Sequence, residues 1–112
     1  MKEEEAEWEE GLVLRTVSES TAETLCEVNQ AADESGLALD DVMRYCHAGL
    51  MQTFTVEKRE TLYLDEDGLY RLRQIRHLLE VEQVNPEGVR IIVQLLGQLQ
   101  DVEKELRFLR DR

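Results

Sequence analysis

The chain has 112 residues, 25 of them acidic and 13 basic, for a formal net charge of −12. That length fits one small domain; 42% hydrophobic and 34% charged residues exclude an extended disordered chain, and no apolar run approaches the ~20 residues of a membrane span. Nucleic-acid binding draws most of its affinity from Lys and Arg on phosphates, and here acids outnumber these bases 25 to 13, so a basic patch would have to be found; two cysteines supply neither a disulfide framework nor a metal quartet.

Residues 1–19 read as an acidic tail. Lys2 to Glu10 holds one Lys against six Glu, a net of −5, and such a block is normally solvated. Trp8 sits inside it; an aromatic docked on the domain is a better account than a partner anchor. Leu12-Val13-Leu14 and Val17 can add a short strand. No basic-then-apolar leader follows Met1, so a reduced, cytoplasmic setting is the expectation. The first helix is expected to start near Ser20, where Ser20-Thr21-Ala22-Glu23 has the form of a capping box. Leu25, Val28, Ala31 and Ala32 then share one face, and Ser35-Gly36 ends the helix. A second helix spans about Asp40 to Ala48, with Val42, Met43, Tyr45 and Cys46 available to its buried side. The tight Gly36–Leu39 connection makes the two a helix-turn-helix.

Met51–Val56 and Thr61–Leu64 are rich in Thr, Phe, Val and Tyr around the polar Glu57-Lys58-Arg59-Glu60, the pattern of a short β-hairpin. Asp65 caps a third helix with Leu69, Leu72, Ile75 and Leu79 on one side. Arg71, Arg73 and Arg76 fall mostly on the other. They form the chain's only basic stripe, either a phosphate-contacting row or, as we expect, partners for nearby acids. Asn85 and Pro86 open a fourth helix that can run to about Arg110, some 25 residues or about 37 Å. Ile92, Leu95, Leu99, Val102, Leu106 and Leu109 step by 3, 4, 3, 4, 3 along it, a heptad seam. Val89, Val93 and Leu96 widen the apolar stripe only in the first half. The second half therefore needs a partner, and a homodimer through the six seam residues is expected over a helix folded back on its own domain.

Catalytic and metal chemistry find little support. No Gly-rich phosphate loop, nucleophile elbow or His-x-x-x-His motif occurs, and no enzyme activity is expected. Cys26, Cys46 and His47 fall short of a closed tetrahedral site, and core packing accounts better for both thiols. No cofactor is implied.

The run Gly-Leu-Ala-Leu-Asp-Asp-Val-Met-Arg-Tyr-Cys-His-Ala-Gly-Leu from Gly36 resembles the helix-turn-helix of MerR-type regulators. Tyr63 through Asp67 and Leu72 through Leu78 continue that pattern. Val84-Asn85-Pro86-Glu87-Gly88-Val89, an apolar run, and a polar helix closing on Glu105-Leu106-Arg107-Phe108-Leu109 look like the chaperone modulator CbpM family within that superfamily. The resemblance covers about residues 24 to 110. It implies a mainly α, MerR-like winged helix-turn-helix with a short β-hairpin and a long C-terminal helix. It also implies a non-enzymatic protein that binds the J-domain of a DnaJ/CbpA-type co-chaperone and inhibits it. On that reading residues 1–19 are the tail, 20–84 the winged domain, and 85–112 the C-terminal helix. The alternative within the superfamily is a DNA-binding transcriptional regulator. Three positions depart from a DNA reader: Met43 stands where Arg usually opens the recognition run, Arg44 where a Tyr would be, and Ala38 where a capping Ser or Thr is usual.

Charge weighs the two readings independently. From Glu23 to Met51 there are six acids and one base, Arg44, a net of −5. Asp40 and Asp41 would face phosphates on a docked duplex, whereas DNA readers present Arg, Lys and amide donors there. An acidic face suits a basic partner instead, as the resemblance implies for a J-domain. Asp33, Glu34, Asp40, Asp41 and Arg44 are the candidate partner-binding residues, although acids at a helix start also need no partner.

Overall fold

The computed structural model describes residues 11–111; the Glu run and Trp8 lie outside them. The elements are strand β1 (Val13–Val17), a short 3-10 helix (Glu19–Thr24), β2 (Cys26–Glu27), α1 (Val28–Ser35), α2 (Leu39–His47), β3 (Gln52–Val56), β4 (Leu62–Leu64), α3 (Glu66–Glu80) and α4 (Pro86–Arg110). The described residues are mainly helical with one small sheet of four strands, ordered β1-β3-β4-β2. The expected hairpin is present as β3 and β4, paired antiparallel. Both its flanks are occupied: β1 runs parallel to β3 from Val13 opposite Gln52 to Val17 opposite Val56, and β2 sets Cys26 opposite Leu64.

The first helix does not begin at Ser20. Ser20 Oγ shares a 2.9 Å hydrogen bond with Ser18 Oγ instead of closing a capping box, and Leu25 is extended at φ −112°, ψ 158°. The next two residues pair with Tyr63 and Leu64, so α1 starts only at Val28. Ladder bonds to β4 and burial of Ala22 and Leu25 near Phe54 and Tyr63 outweigh a local cap.

Two clusters form the core. Val28, Ala31, Ala32, Val42, Cys46, Leu64, Leu72, Ile75, Val89 and Val93 belong to the larger one, which joins all four α-helices to one face of the sheet. Ala22, Phe54, Val56 and Tyr63 form the smaller one. Alternation along β4 sends Leu64 to the first and Tyr63 to the second. Each fully buried Leu, Ile or Val contributes about 1.5–3 kcal/mol.

The starts of α3 and α4 follow the sequence reading. Asp65 Oδ1 accepts from the Gly68 amide at 3.0 Å, and Asn85 Oδ1 accepts from the Gly88 amide at 2.7 Å with Pro86 in the first turn. The chain reverses between them, with the Val84 amide donating to the Leu78 carbonyl at 2.9 Å. Val89 and Val93 are fully buried against α3, while the later part of α4 leaves the domain.

Candidate functional site

The turn between α1 and α2 is a Schellman motif. The Leu37 amide donates to the Ala32 carbonyl at 3.1 Å, the Gly36 amide to Asp33 at 3.3 Å, and Gly36 takes a left-handed φ of 75°. A Cβ on Gly36 would run into the Arg76 guanidinium, which donates to the Ser35 carbonyl at 3.3 Å. This contact ties α3 to the turn. Ala38 supplies no side-chain cap to α2; Asp40 and Asp41 in its first turn oppose the positive helix end instead.

Asp33 and Glu34 end α1, Asp40 opens α2, and all three are exposed around this turn. Gln30 Nε2 donates to Glu34 at 3.2 Å. Asp41 differs from the other acids: it is half-buried and holds Arg44 at 3.0 Å one turn later. Of the five candidate partner-binding residues, three therefore carry outward charge and two neutralise one another. Burial beside this pair pushes the Tyr45 hydroxyl up, and Asp41 adds to the effect.

The expected basic stripe on α3 is not a stripe. Arg71 is buried, donating to the Val93 carbonyl at 3.3 Å and closely to Gln100 Oε1. Its stem is buried along with Gly68, Leu72 and Ile75 of α3, and its head reaches across to α4. Arg76 pairs with Glu80 at 3.1 Å, and Arg73 is exposed. In the hairpin loop Arg59 is held by Glu19 at 2.6 Å and donates to the Tyr63 hydroxyl at 3.0 Å. The hydrogen bond from Arg59 keeps the Glu19 carboxyl below its usual range.

Two depressions escape a one-dimensional reading because distant segments form them. Glu23 and Thr24 meet Asp65, Glu66 and Asp67 around an acidic cavity of about 670 Å³. Tyr70, Arg73, Gln74, His77, Leu78, Ile92 and Leu96 line a groove of about 320 Å³ between α3 and α4. Among the described residues, no group of three or more His, Cys, Asp or Glu is arranged to hold a metal ion. Cys26 is half-buried and Cys46 buried, both free, and burial pushes both thiols up, away from the reactive thiolate.

Along α4 the seam is open. Leu95, Leu99, Val102, Leu106 and Leu109 are each at least half exposed, between 50% and 61%, and Ile92 is half-buried at the groove. No helix among the described residues is long and apolar enough to cross a membrane.

Comparison with known proteins gives one match. The family model for MerR HTH family regulatory proteins matches residues 24–111. No curated protein and no solved structure matches. The match takes in the helix-turn-helix, the hairpin and all of α3 and α4, and leaves β1 outside. The chain belongs to the MerR HTH family of regulatory proteins.

Proposed function

We propose that this protein is a non-enzymatic modulator of the CbpM kind, binding the J-domain of a DnaJ/CbpA-type co-chaperone and lowering its activity. One observation carries the reading. The surface a MerR-type protein would turn toward DNA is acidic around the turn, and four of the arginines are engaged within the fold. Asp33, Glu34 and Asp40 face outward around the turn, whereas Arg44, Arg59 and Arg76 are ion-paired and Arg71 is buried. Such a surface repels phosphate and attracts a basic partner. The family match supports a regulatory role and is equally compatible with a winged helix-turn-helix transcriptional regulator. That second reading would rest on Arg73 and on Lys58 in the wing.

Exposure of the seam supports self-association of the modulator. Five apolar side chains at heptad spacing form a continuous stripe on a projecting helix, and a second copy of α4 offers the matching stripe.

Calorimetric titration with the J-domain of a CbpA-like protein from the same organism, at low and high salt, tests the function. Binding that weakens with salt and with D33K/D40K charge reversal supports the modulator. Absence of binding at both salts, or affinity indifferent to the reversal, refutes an acidic J-domain surface. Nanomolar sequence-specific binding to duplex DNA would favour the regulator.

A further inference from the structure

Helix α2 opens on Leu39, an apolar side chain that the domain leaves uncovered. Leu39 is 40% exposed and stands outside both core clusters, whereas Leu37, two positions earlier, packs against the larger one. Met43 follows one turn later, on the face it shares with Leu39, and is half-buried. Ala38, just before the helix, is exposed as well. A single exposed leucine needs no explanation. Here it heads a short apolar strip inside a ring of one charge sign. Asp40 adjoins Leu39 on α2, and Asp33 and Glu34 lie across the Gly36 turn, all three exposed. The one arginine of α2, Arg44, is ion-paired to Asp41 at 3.0 Å.

We propose that Leu39 and Met43 are the apolar anchors of a docking surface for a basic, amphipathic helix. The apolar stripe of that helix covers Leu39 and Met43, and its flanking Lys and Arg meet Asp33, Glu34 and Asp40. The proposal rests on the acidic-turn reading given above and adds to it the chemistry and shape of what binds there. An apolar centre within a polar rim is the arrangement that concentrates binding energy in a few residues, and methionine adapts readily to a partner surface. Charge steers and selects the partner, while burial of Leu39 supplies affinity that salt does not screen. A helix suits the site better than an extended segment. The main-chain groups of α2 are bonded within the helix, so a strand would find no ladder to join, whereas side chains on two helices interdigitate. A second copy fits poorly, because it would bring the same three acids against each other. Nucleic acid fails on the same ground, since phosphates would meet those acids.

Two probes are titrated calorimetrically against the full chain at several salt concentrations. One is the purified J-domain of a CbpA-like protein from the same organism. The other is a synthetic amphipathic helix of Ala, Leu and Lys, with a scrambled peptide of the same composition as its control. Both probes should bind wild type. Leu39→Ala should weaken each by about tenfold or more and leave the salt dependence unchanged, and Leu39→Met should restore most of the affinity. Asp40→Lys should instead flatten the salt dependence. Alanine is the strongest helix former and Leu39 is exposed, so helical circular dichroism should be retained; should it be lost, Leu39→Gln takes the place of Leu39→Ala. A probe that binds the folded Leu39 variant as tightly as wild type overturns the anchors and leaves the acidic reading standing. A J-domain that fails to bind, beside a helix peptide that binds through Leu39, refutes the co-chaperone reading and supports the surface. Failure of both probes overturns both. A scrambled peptide as tight as the helix would reduce the effect to charge attraction and overturn the proposal. A wild-type dimer that Leu39→Ala dissociates would assign the face to a second copy and do the same.

Discussion

Arg71 allows the packing of its stem to be separated from the chemistry of its head. The side chain is only 7% exposed, and its guanidinium meets neutral groups, the Val93 carbonyl and Gln100 Oε1, with its Nε unpartnered. Truncation to Ala removes two buried methylenes beyond Cβ, at about 0.8 kcal/mol each, or about 1.6 kcal/mol. Charge-assisted hydrogen bonds contribute about 1.5–3 kcal/mol each, but taking a guanidinium out of water costs several kcal/mol. The head is therefore near balance. Arg71→Met keeps the stem and deletes the head, so it should lie within about 1 kcal/mol of wild type, whereas Arg71→Ala should lose about 1.5–3 kcal/mol. The Val93 carbonyl remains inside a continuous helix and Gln100 is exposed, so neither is stranded by the change. Urea unfolding followed by circular dichroism, at one fixed protein concentration, measures both variants. A loss above about 3 kcal/mol for Arg71→Met would refute the balance and make the head the anchor of α4.

Other outcomes follow from single sites. A Cβ on Gly97 would meet nothing within 4 Å, so Gly97→Ala, in the interior of α4, should stabilise by about 0.5–1 kcal/mol and raise Tm; a lower Tm would mean that a partner approaches there. Glu19 titrates below its ordinary value of 4.5 in the folded chain, so its pair with Arg59 stabilises above that pH and fades as pH falls through the depressed value. The gap in urea midpoint between wild type and Glu19→Gln should thus be open at neutral pH and close at low pH; a gap independent of pH would count against the pair. On the seam, Leu99→Glu with Leu106→Glu should give a monomeric mass by sedimentation at tens of micromolar with unchanged far-UV dichroism, because both side chains are at least half exposed. A wild-type chain that is itself monomeric at that concentration would refute the homodimer.

What the sequence disclosed was local. Asp65, Asn85 and Pro86 announce helix starts because a cap is a contact across three residues, and both cap bonds are present. Gly36 marks the turn for the same reason, through its φ of 75°. Ser20 misleads because β4, nearly forty positions away, claims Cys26 and Glu27 for the sheet, so the box falls inside a short 3-10 helix and α1 starts only at Val28. The sequence pattern sets Arg71 among the partners of nearby acids, yet α4 covers it and its partners are neutral, a pairing that only the packed helices reveal. The candidate acids were legible as a cluster; the Asp41–Arg44 pairing that divides them was not. Neither depression could be seen, since each joins segments from different parts of the chain.

The parallel pairing of β1 with β3 bears on how the molecule assembles. Thr16 and Thr55 share a 2.9 Å hydrogen bond across 39 positions of chain. Closing so long a loop carries an entropic cost that the α3–α4 reversal avoids, so helices should form and pack before this strand finds its place. On a ribosome the order is harsher still. β1 emerges first, and its exposed Val13 and Leu14 must wait for residues 52–56 before they have a sheet to join. Charged residues flanking an apolar strand disfavour edge-to-edge pairing between chains, and in the sequence the Glu run stands directly before Val13 and Leu14.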